Sequence, residues 1–208
     1  MANKEKLTVT QTKLLLNVIK NYPLATVITL LDDVIEISHL PLVVEGLQTG
    51  QLKLRGHLST KNPQWQHLRN GAVMTVVFNG PNSYINSSWY LVNDASTWNY
   101  VTVHASGAPA VEESYEELLN ILKTTTDLAN QLYADQWDFY IPVDLSSAKD
   151  LTAAIGGFSL VPSTISGRFK LSQSKSIEDQ KRIITKLGQR DDESSRQIAE
   201  MMTENIEL

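Results

Sequence analysis

A short segment in the first third of the chain carries the residue types that bind a phosphate group. Ser59, Thr60 and Lys61 follow a predicted strand, and Asn62 with Pro63 predicts the start of a short helix. Hydroxyl groups, a lysine ammonium and free backbone N–H groups would meet there, at the positive end of the helix dipole. The alternative is that Ser59 and Asn62 only cap the helix and that Lys61 is solvated. The segment alone does not decide between the two.

Large aromatic side chains are concentrated within 36 positions: Trp65, Tyr84, Trp89, Tyr90, Trp98 and Tyr100. Such rings can stack on a planar ligand such as an isoalloxazine, a haem or a nucleobase, while their N–H and O–H groups orient it. The alternative is that they pack in the core or at a subunit interface. Together with the phosphate-type segment, the cluster favours a planar cofactor that carries a phosphate.

Missing residues and motifs exclude several other chemistries. The chain of 208 residues has no cysteine, which excludes disulfides, thiolate zinc sites, iron–sulfur clusters and a cysteine nucleophile. It contains no G-x-G-x-x-G after a strand, no P-loop, no H-E-x-x-H and no G-x-S-x-G elbow. No two of its histidines fall on one helical face: His39, His57, His67 and His104. We therefore predict no metal site and no catalytic residue.

The charge is distributed unevenly along the chain. The net charge is −5, yet residues 167–190 hold seven basic and two acidic side chains and are followed by an acidic tail. Such a basic stretch can contact the phosphates of DNA, or it can belong to helices whose charges pair with each other and with solvent. We divide the chain accordingly into a core, 1–166, and a closing strand with C-terminal helices, 167–208, packed on the same domain.

Hydropathy gives no sign of a membrane-spanning or secretory segment. The strongest apolar run, Leu24 to Leu31, is far shorter than the roughly 20 residues that a spanning helix needs. The opening MANKEKLTVTQTK lacks the apolar stretch of a signal peptide. We therefore expect a cytoplasmic protein that does not contact a membrane.

The order of the predicted elements indicates an α+β fold around an antiparallel barrel. A helix over Thr10–Tyr22 precedes a series of β-branched strands, of which the first two form a hairpin around Asp32-Asp33 and are followed by the loop EGLQTGQ. Three later helices follow from capping patterns or periodicity; they begin at Ser114, near Leu145 and at Ser176. The remaining predicted strands are LKLRGHL, AVMTVVF, TWNYVTVHASG and one or two within GFSLVPSTISGRFKL.

Five motifs occur in an order typical of one family. They are HLPL at His39–Leu42, GHLSTKNPQW at Gly56–Trp65, GPNSYINSSWY at Gly80–Tyr90, TWNYVTVHASG at Thr97–Gly107 and GRFKLSQ at Gly167–Gln173. This set resembles the PaiB family of FMN-binding negative transcriptional regulators. The resemblance extends over about four fifths of the chain.

The resemblance implies an FMN-binding split β-barrel that forms a homodimer, with flavin near the subunit interface. It also implies a regulatory role in the repression of sporulation and secreted-enzyme genes. The segment from Ser59 to Asn62 is similar to the phosphate-contacting segment of split-barrel flavoproteins, and His39-Leu40 is similar to the strand beside the isoalloxazine ring. The resemblance also implies that Trp89 and Trp98 line the isoalloxazine ring or the dimer interface. It places Arg168 and Lys170 in the basic closing motif.

Three functions are compatible with these observations. The preferred one is an FMN-binding regulator whose direct DNA contact, if made, would use the basic segment 167–190. The second is a flavin oxidoreductase that uses NAD(P)H or another small reductant. The third is a dimeric interaction module that has lost flavin, because five positions depart from the family's typical residues: Asn82, Ser87, Ser96, Ser166 and Ser174.

Overall fold

The computed structural model describes residues 9–45, 52–92, 94–134 and 147–207. Within these ranges the chain forms six α-helices and nine strands. The helices are α1 Val9–Asn21, α2 Pro63–Arg69, α3 Tyr115–Tyr133, α4 Ala148–Ala154, α5 Ile177–Gly188 and α6 Glu193–Glu207. The strands are β1 Leu24–Leu31, β2 Val34–Pro41, β3 Val43–Glu45, β4 Lys53–Ser59, β5 Met74–Ile85, β6 Thr97–Gly107, β7 Pro109–Glu112, β8 Ile155–Leu160 and β9 Thr164–Lys170.

The strands form two sheets. One sheet has five strands in the order β2-β1-β5-β6-β9, and the other has four in the order β3-β4-β8-β7. The pairs β1–β2, β1–β5, β3–β4, β4–β8 and β7–β8 are antiparallel. The predicted antiparallel α+β architecture is confirmed. The described strands lie in two separate ladders and do not close into a continuous barrel.

The predicted hairpin is confirmed around its two aspartates. Asp32 and Asp33 have φ angles of 48° and 63°, so both adopt the left-handed conformation. A two-residue hairpin loop of the mirror-image type requires this conformation at both central positions, and aspartate tolerates it better than most residues. The loop sets the register of β1 against β2, in which Leu30 pairs with Ile35.

Several predicted elements have different ends in the structure. The run VIEISHLPLVV is divided at Leu42, whose backbone N–H donates to Pro23 O at 2.9 Å, so that β2 and β3 join different sheets. The strand predicted at AVMTVVF continues to Ile85. The helix predicted from Leu145 is described only from Ala148, since 145 and 146 lie outside the described residues. Most of EGLQTGQ and the first eight residues also lie outside them.

The described chain divides into two compact units. The first contains residues up to Phe78 and those from His104 to Ser166, and the second contains Asn79–Val103 and Gly167–Leu208. Strands β5, β6 and β9 each contribute residues to both units. No helix in the described ranges is long and apolar enough to span a membrane.

Two glycines of β8 allow helices to approach the sheet closely in the first unit. A Cβ at Gly156 would lie 2.6 Å from ring atoms of Trp65, which is buried in α2. A Cβ at Gly157 would lie 2.8 Å from Leu118 and Ile121 of α3. The absence of a side chain at these two positions therefore sets the distance of α2 and α3 from the four-stranded sheet.

The second unit has its own small core. Helices α5 and α6 pack against each other, and four of their apolar side chains are fully buried: Ile183, Leu187, Ile198 and Met202. Helix α5 begins as predicted, since the Asp179 backbone N–H donates to Ser176 Oγ at 3.1 Å. The Asn99 side chain of β6 donates to Met202 Sδ at 3.4 Å and so joins strand and helix.

Candidate functional site

The predicted strand-to-helix junction is present. Asn62 adopts an extended conformation and its Oδ1 accepts the Gln64 backbone N–H at 2.9 Å, while Pro63 occupies the first helical position. Asn62 Nδ2 donates to Ser38 Oγ of β2 at 2.8 Å. The prediction of a capped helix directly after β4 is confirmed, and the cap also attaches the junction to β2.

A buried glutamine strengthens this attachment. Gln64 is fully buried, and its Nε2 donates to Val27 O at 3.1 Å and to Glu36 O at 3.0 Å. His67 is hydrogen-bonded through Nδ1 to Thr29 Oγ1 at 3.0 Å. Helix α2 is thus held on the β1–β2 hairpin by polar contacts whose loss would leave buried groups unpaired.

The hydrogen-bond donors at the junction differ from the prediction in one respect. The backbone N–H groups expected to be free have acceptors: Thr60 donates to Ala154 O at 3.0 Å, Lys61 to Ser59 Oγ at 3.2 Å and Asn62 to Ser59 O at 2.9 Å. The Thr60 hydroxyl donates to Ala153 O at 2.6 Å. Both acceptors of Thr60 lie in α4, far along the chain, so local reasoning could not find them, whereas Lys61 and Asn62 donate to the neighbouring Ser59.

The side-chain donors that remain belong to Ser59 and Lys61. Both residues are exposed. Lys61 Nζ has no hydrogen bond or ion pair within the described part of the chain, and Ser59 uses its oxygen as an acceptor, so its hydroxyl hydrogen is available. An ammonium and a hydroxyl are donors that suit a phosphate dianion.

His39 and Leu40 lie on opposite faces of β2. Successive side chains alternate across a strand, so Leu40 shares a face with Ser38, the partner of Asn62. His39 lies on the other face with Ile37, which is 57% exposed. Within one chain the structure therefore places Leu40, but not His39, on the face of the junction.

The other predicted residues lie in the second unit. Trp98 is 53% exposed, and its ring centroid is 5.8 Å from that of Tyr84 in an edge-on arrangement. Lys170 Nζ donates to Thr97 Oγ1, and Arg168 is exposed. An exposed aromatic pair of this kind suits a ring ligand or a protein interface, and the roles predicted for these residues stay predictions.

The predicted aromatic cluster is not a single group. Trp65 is 3% exposed and packs in the core of the first unit. Trp89 lies in a 3-10 turn at Ser87–Trp89, where the Arg190 guanidinium is 4.8 Å from its ring centroid. Tyr90 is buried, with Lys175 Nζ 4.9 Å from its ring centroid. These rings were close in sequence, but their neighbours in the fold differ.

Sequence reasoning missed a buried arginine in β4. Arg55 is 3% exposed, and its guanidinium donates to Glu45 at 3.0 Å and to Glu117 of α3. Its Nε is buried and has no hydrogen-bond partner among the residues that the structure describes. The segment LKLRGHL carries two charged residues, Lys53 and Arg55, and its sequence does not tell which of them is buried in an ion pair and which is exposed.

Burial and ion pairing shift several pKa values. Burial lowers the pKa of His57, whose Nδ1 is buried and has no hydrogen-bond partner within the described ranges, so burial favours the neutral imidazole. Burial raises the pKa of Tyr90. A hydrogen bond from Lys175 lowers the pKa of Asp94, and the same contact raises the pKa of Lys175. None of these groups is among the ten predicted site residues.

A cavity of about 630 Å³ lies in the first unit between α1, β3 and α3. Its walls include Lys20, Glu45, Asp127 and apolar residues such as Leu42. None of the ten predicted site residues lines it. The cavity and the junction are therefore distinct features of the first unit.

The fold is shared with solved structures of proteins that bind flavin or haem. One is the FAD and haem binding protein of Mycobacterium smegmatis, with a TM-score of 0.59 and 17% identity over 85% of this chain and 78% of that chain. Another is the flavocytochrome Anf3 of Azotobacter vinelandii, with a TM-score of 0.59 and 14% identity over 86% of this chain and 79% of that chain. At these identities the similarity shows the fold alone.

The sequence defines the family more closely. The model of the family described as "Putative FMN-binding domain" matches residues 1–162, and the chain belongs to that family. The chain is also 29% identical over 201 residues to protease synthase and sporulation protein PAI 2 of Bacillus subtilis, over 95% of this chain and 94% of that protein. The resemblance found in the motifs is confirmed, and FMN is the cofactor that family membership assigns.

The exposed donors of the junction fit the phosphate of FMN. Lys61 provides an ammonium group without a partner in the described ranges, and Ser59 provides a hydroxyl. When bound, FMN supplies one-electron and two-electron transfer, and the protein supplies binding and orientation.

Proposed function

We propose that the protein is a cytoplasmic FMN-binding homodimer of the PaiB type that acts as a negative transcriptional regulator. The observation that carries this proposal is the family match over residues 1–162, supported by the similarity to protein PAI 2 along nearly the whole chain. The two antiparallel sheets support a split β-barrel as the flavin-binding core. That relative is named for protease synthesis and sporulation, which supports a regulatory role over enzymatic turnover.

The phosphate of FMN is proposed to bind at the junction between β4 and α2. Lys61 contributes the charge and Ser59 a hydroxyl, while Asn62 and Gln64 hold the junction rigidly on the β1–β2 hairpin. Since the backbone N–H groups of Thr60 and Lys61 already have acceptors, most of the electrostatic attraction must come from the Lys61 side chain. Leu40 lies on the same face of β2 and supplies an apolar contact.

Replacing Lys61 should therefore weaken FMN binding without altering the fold. We expect Lys61→Gln to raise the Kd for FMN about tenfold, equivalent to about 1.4 kcal/mol, because a charge-assisted hydrogen bond to phosphate is lost. Lys61→Arg should retain most of the affinity. Flavin fluorescence titration of the apoprotein measures both.

The matched control is Lys13→Gln, because Lys13 is also exposed but lies on α1. The control should bind FMN as the wild type does. Equal weakening by both substitutions would indicate a nonspecific effect of charge, and unchanged affinity in Lys61→Gln would move the phosphate site away from the junction.

One face of the five-stranded sheet is proposed to pair with a second copy of the chain. Leu30, Ile35, Ile37 and Val73 are between 57% and 61% exposed. Leu30 pairs with Ile35, and Ile28 pairs with Ile37, so the side chains of both pairs lie on one face of the sheet. Met74 pairs with Thr29 on the opposite face, and its neighbour Val73 therefore lies on the same face as Leu30. An apolar patch of this kind marks an interaction surface. His39 lies on the same face, which would bring it to the subunit interface.

Lysines on this face should dissociate the dimer. We expect Ile35→Lys/Ile37→Lys to weaken dimerisation by about 2 kcal/mol or more, because each substitution occurs twice in a two-fold interface and places like charges together. Sedimentation equilibrium measures the association constant.

Val34→Lys is the control on the opposite face of the same strand. Val34 is 51% exposed, close to the 61% of Ile35, so the change in solvation is comparable. This variant should remain dimeric. A monomeric wild type, or equal dissociation by Val34→Lys, would contradict the proposed interface.

The regulatory role is proposed to involve the basic segment 167–190. Arg168, Lys181 and Lys186 are exposed and have no ion pair within the described ranges, whereas Lys175 pairs with Asp94. Unpaired cations of this kind are available to DNA phosphates, and such contacts weaken as salt concentration rises. A homodimer would present two copies of the segment.

A further inference from the structure

A cleft in the second unit has walls of unusual composition. It encloses about 280 Å³ and is lined by Trp89, Glu178, Lys181, Arg182, Thr185 and Lys186. All of these residues except Trp89 belong to α5. Trp89 therefore lines the same cleft as a helix surface that carries three cations and one carboxylate.

Two of the three cations of the cleft have no partner for their charged groups in the described part of the chain, and the third uses only one of its nitrogens. Lys181 and Lys186 have no hydrogen bond or ion pair from their ammonium groups in the described part of the chain. Arg182 donates from Nε to Trp89 O at 2.8 Å, which leaves its two terminal nitrogens available. Glu178 is one helical turn away from both Lys181 and Arg182, yet the structure forms no ion pair between them. This wall is consequently an unneutralised positive surface.

Trp89 is held in place by two independent contacts. The Arg190 guanidinium lies 4.8 Å from the indole centroid, and Arg190 is itself fixed by donation to Ser83 Oγ at 2.7 Å. The backbone of Trp89 is held by Arg182. A ring positioned in this way needs little reorganisation to stack on a planar ligand.

We propose that this cleft binds a nucleoside 5′-phosphate. The base would stack on Trp89, Lys181, Arg182 and Lys186 would bind the phosphate, and the Glu178 carboxylate would accept hydrogen bonds from ribose hydroxyls. The ligand can be a free mononucleotide or one nucleotide of a single strand, since both present the same groups. The cleft shares Trp89 with the residues predicted for flavin, and it shares Lys181 and Lys186 with the segment proposed to contact DNA. Nucleotide binding there nevertheless requires neither bound flavin nor duplex DNA.

The test uses isothermal titration of FMN-saturated protein with adenosine 5′-monophosphate (AMP), adenosine and inorganic phosphate. We expect AMP to bind more tightly than either of the other two. The double variant Lys181→Gln/Lys186→Gln should weaken AMP binding more than tenfold while leaving adenosine unchanged. Both lysines are exposed, so this variant should fold normally.

Two further variants make the test specific. Trp89→Leu should weaken AMP and adenosine alike and leave inorganic phosphate unaffected. Lys149→Gln, at an exposed lysine of α4, should bind AMP as the wild type does. An oligodeoxyadenylate that competes with AMP and binds more tightly would identify a single strand as the source of the ligand, and weaker binding would identify the free nucleotide.

Three results would overturn the proposal: no AMP binding at millimolar concentration, equal affinity for AMP and adenosine, or AMP binding that the lysine substitutions do not change. Displacement of AMP by added FMN in the flavin-saturated protein would also overturn it, because the cleft would then be a flavin site. If the protein retains no FMN, the same titrations are made on the apoprotein. Failure of the flavin assignment can then be distinguished from failure of nucleotide binding in the cleft.

Discussion

The double variant Glu45→Gln/Glu117→Gln will unfold with a free energy about 3–5 kcal/mol below that of the wild type. The reason is that Arg55 is 3% exposed and has these two carboxylates as its charged partners, which are themselves 30% and 48% exposed. Without them the guanidinium remains buried without a counter-charge, while the glutamines regain part of their hydration. Urea denaturation followed by circular dichroism measures the loss.

A third substitution separates the cost of the unpaired charge on Arg55 from a loss of packing. Adding Arg55→Met to the double variant removes the buried charge and should recover much of the lost stability, since apolar replacement of a buried ion network is often neutral. The exposed pair Arg69–Glu113, at 3.4 Å, is the control; Arg69→Gln should cost under about 1 kcal/mol. A double variant as stable as wild type would show that Arg55 is solvated or has other partners.

Gly156→Ala will lower the free energy of unfolding by about 3 kcal/mol, at the upper end of the range for overpacking. The new Cβ would lie 2.6 Å from three ring atoms of Trp65, which is buried and cannot rotate away freely. Helix α2 must shift to relieve the contact, and it carries the cap that attaches the junction to β2. We therefore expect weaker FMN binding in the same variant.

Gly188→Ala is the matched control for Gly156→Ala. No atom lies within 4 Å of a Cβ built at Gly188, at the end of α5. Its φ is not in the left-handed region, so alanine should be neutral or slightly stabilising there. Equal stability of the two variants would show that α2 can move from β8 at no cost and would remove the basis for the expected loss of FMN.

The features predictable from sequence were those determined by neighbours along the chain. Asn62 with Pro63, Ser114 with Glu117, and Ser176 with Asp179 each defined a helix start that the structure contains. The hairpin at Asp32-Asp33 was predictable for the same reason, since its turn depends on two residues. Local hydrogen bonding and backbone preference are sufficient for such elements.

Features that depend on distant residues were not predictable in this way. The N–H of Thr60 is occupied by Ala154 O, a partner 94 positions away, so this expected free donor of the junction is absent. The division of one apolar run at Leu42 depends on Pro23, and the burial of Arg55 depends on Glu117. In each case a tertiary contact decided the outcome, and no local pattern contained it.

The most direct test of the flavin assignment is the visible absorption spectrum of the purified protein after incubation with FMN and gel filtration. We predict a flavin spectrum with one FMN retained per chain. The amount of FMN retained should fall in Lys61→Gln and stay the same in Lys13→Gln. A colourless wild-type protein that retains no FMN under these conditions would contradict the account and favour a dimeric interaction module without flavin.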